Sequence, residues 1–168
     1  MKAVFKEEQK FTQWWLWILL TGVGLIPIYG IYKQLILDEK FGDNPMPDIG
    51  LIIFFLIVFG IIVFIGSMKL TTEIDQYDIK IQFYPLLKKH FKWSDVKFAE
   101  VVNYGFVGGW GVRFWPKYGT IYNIKGNIGL AFELHNGKKF VIGTQKESDL
   151  KFFLEKLKKK DPDAENAL

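Results

Sequence analysis

The chain has no cysteine and only two histidines. Without thiols it has no disulfide staple, no thiolate nucleophile and no cysteine metal cage, and its redox compartment is unreadable. His90 and His135 are the only side chains that titrate near neutrality without a shifted pKa, so general acid–base chemistry has few carriers. Both alternate with apolar neighbours, which turns their rings toward solvent. No H-x-x-x-H, C-x-x-C or H-E-x-x-H spacing occurs, and a metal site is not expected. Ser67, Ser94 and Ser148 stand outside any G-x-S-x-G context. "GGWGVRF" contains G-x-G, but it has no third glycine at the required distance and runs into a strand. It is neither a dinucleotide fingerprint nor a P-loop. No catalytic residue and no cofactor are expected.

Charge is missing from two long runs. Phe11 to Tyr32 is 22 residues without a charged side chain, and Ile49 to Met68 is another 20. As helices each reaches about 30 Å, the thickness of a bilayer's hydrocarbon core. Residues 1–68 therefore read as a transmembrane hairpin, with spans at about 12–34 and 49–68. Lys2, Lys6 and Lys10 resemble the basic end of a secretory signal, but the apolar run is too long and no A-x-A-like site follows it, which predicts a retained anchor. Gly42, Asn44, Pro45 and Pro47 mark the turn between the spans. Neither span holds a charged residue or histidine, the usual mark of an ion or proton path, so an anchor is expected before a transporter. Gly22, Gly24, Pro27 and Gly30 would let another helix approach closely or would kink the first span.

Charge of one sign is unevenly distributed. Residues 1–68 carry a net −1 and residues 69–168 a net +5. Lysines flank the outer ends of the hairpin more than its connection, which predicts both termini on the cytoplasmic face of an inner (plasma) membrane. Lys10, Trp14, Trp15, Trp17 and Lys69 then form the interfacial belt. The pI of about 9.1 suggests nucleic acid, but the lysines form no dense stripe, so no nucleic-acid partner is expected. Because Lys69 follows the second run without a linker, the positive charge is expected to face membrane lipid.

After Met68 the apolar period falls to two. Seven strands are predicted, at 70–74, 79–83, 91–93, 96–103, 112–115, 128–134 and 139–143. The segment "TQKESDLKFFLEKLKKK" follows as one amphipathic helix, with a capping-box spacing from Thr144 to Glu147 and an apolar stripe of Leu150, Phe153, Leu154 and Leu157. Residues 161–168 have no apolar pattern and are expected to be disordered. At Asn136-Gly137 a two-residue hairpin loop would split the apolar set across both faces. A three-residue loop with Gly137 left-handed unites Phe140 and Ile142 with Leu130, Phe132 and Leu134.

Seven short antiparallel strands closed by one helix resemble the pleckstrin-homology-like domain. The run "YGFVGGWGVRF…YNIKGNIGLAFELHNGKKFVIGTQKESDLKFFL" is similar to small bacterial membrane proteins in which a two-span hairpin precedes such a domain. The resemblance covers the whole chain in architecture, but its specific residues lie between Tyr104 and Leu154. It implies a seven-stranded sandwich or barrel over residues 69–160, mainly β, with a non-catalytic binding or assembly role. Lipid-phosphate binding, known in some relatives, does not transfer without the matching basic loop.

The glycine- and aromatic-rich stretch "GGWGVRFWPKYGTIYNIKG" is where a contact surface is expected. Val112 and Phe114 are assigned to the core side, which sends Arg113 and Trp115 outward beside Trp110, Lys117 and Tyr118, residue types enriched at interfaces. The competing reading is that these tryptophans only cover a sheet edge. The partners expected are membrane lipid and a protein or a second copy of the chain. The alternatives are an accessory subunit of a transporter or channel, or a lipid- or envelope-active enzyme.

Overall fold

A computed structural model describes residues 4–159; Lys2 and the tail 161–168 lie outside the described residues. The chain divides into two compact units, Phe11–Ser67 and a second built from the residues before and after it.

The first unit is a pair of helices. α1 spans Trp14–Ile31 and continues through a wider π-helical turn, Tyr32–Ile36; α2 spans Asp48–Ser67. Both are long and apolar enough to cross a membrane, at 23 and 20 residues. Leu20, Pro27 and Gly30 of α1 and Leu51 and Val58 of α2 are buried, while most other apolar side chains face outward. A helix in water would instead show a polar stripe. Gly24 and Gly30 of α1 face α2: a Cβ on Gly24 would lie 3.0 Å from Ile62, and one on Gly30 would lie 3.3 Å from Leu51 and 2.9 Å from Phe41 of the connection. Gln34 Nε2 closes the connection by donating to Met46 O at 2.8 Å and Asp48 Oδ1 at 2.6 Å.

The second unit holds two sheets. The first has the order β1-β2-β3-β4, all antiparallel, from β1 (Phe5–Lys10), β2 (Lys69–Ile74), β3 (Asp78–Tyr84) and β4 (Leu87–Lys92). The second has the order β5-β8-β9-β7-β6, from β5 (Val96–Asn103), β6 (Gly111–Trp115), β7 (Gly119–Asn123), β8 (Ile128–Leu134) and β9 (Lys139–Gly143). Its one parallel pair is β7–β9. α3 (Glu147–Lys158) follows, burying Leu150, Phe153, Leu154 and Leu157.

Among the described residues nine strands form where seven were expected. One addition is β1, whose residues were expected with the hairpin; it pairs along β2 from Phe5↔Ile74 to Lys10↔Lys69. Its inward side chains are Phe5, Glu7 and Gln9, so two of three are polar and the period-two apolar signal is absent. The other is β7, a short strand outside the seven expected ranges. Trp93, expected at a strand end, sits in a single 3-10 turn, where its Nε1 donates to Asp75 O at 2.9 Å.

The core lies between the sheets and α3. Phe91 from the first sheet meets Phe132 and Phe140 of the second at centroid distances of 5.1 and 4.8 Å. The β8–β9 loop is the three-residue form: Gly137 has φ 80 and its N–H donates to Leu134 O at 2.8 Å. Phe132 then pairs with Phe140 and Leu130 with Ile142, uniting the apolar face.

The expected capping box does not form. Thr144 Oγ1 donates to Glu7 at 2.5 Å and accepts from Lys146 N at 3.0 Å, and the helix begins beyond Lys146 without a side-chain cap on that residue. The missing cap follows from β1. Glu7 is buried, and its carboxylate requires the Thr144 hydroxyl together with Gln145 N–H, 2.8 Å away.

Candidate functional site: the outer face of the five-stranded sheet

β6 is an edge strand, hydrogen-bonded among the described residues only to β7. Residues directly opposite in an antiparallel pair share a face. Arg113 lies across from Ile121 and Trp115 across from Gly119, while Val112 faces Tyr122 and Phe114 faces Thr120. The alternation is as expected, but the assignment of Val112 and Phe114 to the core fails. They are 37% and 76% exposed, because an edge strand overhangs the core that its inner neighbours cover.

On the Arg113 side a small second hydrophobic cluster forms. Ile121 and Val141 from the sheet meet Tyr104 and Val107 from the β5–β6 segment, with Val102, Tyr118 and Ala131 packed beside them. This segment lies over the sheet because its glycines accept left-handed backbone. Gly109, for example, has φ 122, and the Arg113 guanidinium comes within 3.1 Å of where a Cβ would stand. Arg113 Nε donates to Trp110 O at 3.1 Å, which ties the loop to the edge strand. The β6–β7 turn is closed by Tyr118 N–H donating to Trp115 O at 3.0 Å, and Lys117 Nζ stands 4.9 Å from the centre of the Tyr118 ring.

Beside the turn is a shallow depression of about 220 Å³, lined by Phe98, Lys117, Tyr118, Glu133, Lys139 and Phe140 among others. Glu133 is flanked by Lys97 at 3.7 Å and Lys139 at 3.5 Å. Trp115 is 40% exposed and Phe98 49%. The structure thus brings Trp110, Arg113, Trp115, Lys117 and Tyr118 onto one sheet edge and its turns. Three aromatic residues were not anticipated there. Phe98 reaches the outer face because a bulge between Val96 and Phe98 shifts its register. Phe106 is exposed on the β5–β6 segment, and Phe114 is exposed on the same edge strand but on the face opposite Arg113 and Trp115. The bulge leaves no mark in the sequence, and the unbroken aromatic density from Tyr104 to Tyr118 is the one signal available for Phe106 and Phe114.

Neither a protein-family model nor a curated protein matches this chain. Function must therefore be argued from the residues themselves.

Beneath the patch, Asn123 Nδ2 donates to Tyr104 Oη at 3.3 Å, and Tyr104 Oη donates to Gly126 O at 3.2 Å. Burial raises the Tyr104 phenol above its ordinary value, with the Asn123 hydrogen bond opposing; burial also raises Tyr122. A second titratable group lies at the β2–β3 turn. For Asp75, burial is outweighed by N–H donors from Tyr77 and Asp78 and by Lys80, and its carboxyl sits below the usual range. His90 Nε2 stands 2.7 Å from Asp78 Oδ1. These contacts tie a turn together. Among the described residues, no three His, Asp or Glu side chains gather where they would hold a metal ion.

The expected interfacial residues fall at the junctions of the two units along the chain. Trp14 and Trp15 are exposed at the start of α1, and Trp17 Nε1 donates to Phe11 O at 2.8 Å. Lys10 and Lys69 lie opposite each other, both held by Glu8, at 3.4 and 3.0 Å. Those lysines lower the Glu8 carboxyl, with Lys69 the larger influence.

Proposed function

We propose that this protein is a membrane-anchored binding or assembly module with no catalytic activity: a two-span helical hairpin carrying a pleckstrin-homology-like domain on the cytoplasmic side. The observation that carries it is the connectivity at Lys10↔Lys69. The hairpin leaves and re-enters the β unit between two hydrogen-bonded neighbours, three residues after β1 and one before β2. Any bilayer the helices cross is therefore held close to the domain by two short strands of chain, and lysines at both ends of the hairpin favour the cytoplasmic side.

Two sheets closed by a C-terminal helix support the pleckstrin-homology-like reading. β1 and the parallel β7–β9 pair are departures from the simple seven-strand form. The outer-face patch supports binding: exposed aromatic side chains beside Arg113 and Lys117 suit a protein surface or lipid headgroups. The test is replacement of Trp110, Arg113 and Trp115 by alanine in the full chain, followed by cross-linking in native membranes and purification in mild detergent. Loss of cross-linked and co-purifying species is expected. Unchanged species from a folded variant would make the patch edge cover only.

A further inference from the structure

β1, β2 and β3 finish level at one end of the four-stranded sheet, in the row Lys10↔Lys69↔Tyr84. Beyond that row lies the β3–β4 turn, Tyr84-Pro85-Leu86, closed by Leu86 N–H donating to Phe83 O at 2.8 Å. Its composition is unusual for a tight turn in water. Tyr84 is 47% exposed and Leu86 50%, and Lys88 and Lys89 follow at once on β4. Among the described residues, neither lysine has an ion-pair partner. Nearby Lys10 and Lys69 share the single carboxylate of Glu8, so this end of the sheet is positive. The other end carries no such excess, because Asp75 and Asp78 at the β2–β3 turn stand around Lys80, at 3.4 and 3.6 Å, and Lys92 lies opposite Asp78.

We propose that the β3–β4 turn is a third membrane contact, with Leu86 and the Tyr84 ring seated in the lipid interface and Lys88 and Lys89 on anionic headgroups. The proposal rests on the membrane-spanning reading above. From Lys10 to the first residue of α1 is four residues along the chain, at most about 14 Å extended, and from the last residue of α2 to Lys69 it is two, so the surface of a bilayer crossed by these helices lies within reach of this row. An aromatic ring with a polar tip, an exposed leucine and two flexible cations match the layered chemistry of that interface, from acyl boundary to headgroup. In water the same residues would expose apolar area without return.

Because the chain has no cysteine, single-cysteine variants label cleanly. Leu86→Cys in the turn, Gln76→Cys in the β2–β3 turn and Ile57→Cys within α2 are each labelled with an environment-sensitive fluorophore. The full chain is reconstituted into vesicles of mixed phosphatidylglycerol and phosphatidylcholine, with spin-labelled lipid as the quencher. The expected result is a blue shift and quenching at positions 57 and 86 and neither at 76. Lys88→Glu with Lys89→Glu should remove most of the quenching at 86 and leave 57 unchanged. Quenching at 57 with position 86 behaving like 76 overturns the turn's membrane contact and leaves the spanning helices in place. No quenching at 57 overturns the spanning reading and the turn contact with it.

Discussion

Gln9 Nε2 donates to the carbonyl oxygen of Gly143 at 2.7 Å, joining residues 134 positions apart in a buried contact. Gln9 Oε1 in turn accepts from Gln145 Nε2 at 3.2 Å, and two residues earlier Glu7 holds Thr144 and Gln145. The six residues before the hairpin thus fasten the corner that leads into α3, with Phe5 packed at 6.3 Å from Phe153.

Because Lys10 and Lys69 are directly opposite, the hairpin should be removable. A chain running from residue 4 to Lys10, through Asn-Gly, and on from Lys69 is expected to fold as a soluble β unit with a cooperative urea transition. The fragment beginning at Lys69, without β1, is expected to aggregate or to lose several kcal/mol, since the buried Thr144 hydroxyl and the Gly143 carbonyl lose their partners at about 1–3 kcal/mol each. Equal urea midpoints for the two would show that β1 is dispensable.

Gly119→Ala should be much worse than Gly137→Ala. Both residues have left-handed backbone, at φ 69 and 80, but a Cβ on Gly119 would strike the Lys139 carbonyl, whereas around Gly137 nothing lies within 4 Å. The expected cost at Gly137 is about 1 kcal/mol for the backbone alone. At Gly119 it should exceed about 3 kcal/mol, because β7 must move off β9. Thermal midpoints of the two variants decide the order.

Stability should fall at both extremes of pH. The depressed carboxyls of Asp75 and Glu8 contribute stability that is present above the ordinary carboxylate range and lost as pH falls through their lowered folded-state values. The raised phenols of Tyr104 and Tyr122 contribute stability that is present below the ordinary phenol value of about 10 and lost as pH rises toward their higher folded-state values. Lys80, raised by Asp75 and Asp78 against the opposing effect of burial, acts in the same alkaline window. Asp75→Asn should flatten the acid limb of urea midpoint against pH, and Tyr104→Phe the alkaline limb; unchanged limbs contradict these assignments.

The patch variant Trp110→Ala, Arg113→Ala, Trp115→Ala should leave the fold in place and cost no more than about 2 kcal/mol, as expected for partly exposed edge residues. Ile121→Ala, at 0% exposure beneath the patch, should cost about 2–5 kcal/mol. Comparable losses from the two would mean that the aromatic edge is part of the core.

What was legible in the sequence follows from how local the determining physics is. The two apolar helices announce themselves by composition, the α3 stripe by its 3.6-residue period, and the left-handed Gly137 by a parity argument that needs only the apolar residues of β8 and β9. β1 was hidden because its buried partners for Glu7 and Gln9 lie more than 130 residues away, so its inward face reads as surface. The same distant contact claimed Thr144 and undid the capping box. At the candidate site, alternation correctly placed Arg113 and Trp115 on one face. The exposure of Val112 and Phe114 depended on β6 being an edge, and the strand order that makes it one, with β7 parallel to β9, is not written in any local pattern.

The central claim is that the helices cross the membrane and hold the β unit on the cytoplasmic side. Asp43→Cys lies in the connection between α1 and α2, and Asn136→Cys lies at the tip of the β8–β9 loop. In intact cells whose outer envelope admits the reagent, a membrane-impermeant maleimide should modify position 43 at once and position 136 only after the membrane is permeabilised. Modification of both positions before permeabilisation, or of 136 alone, would contradict the account.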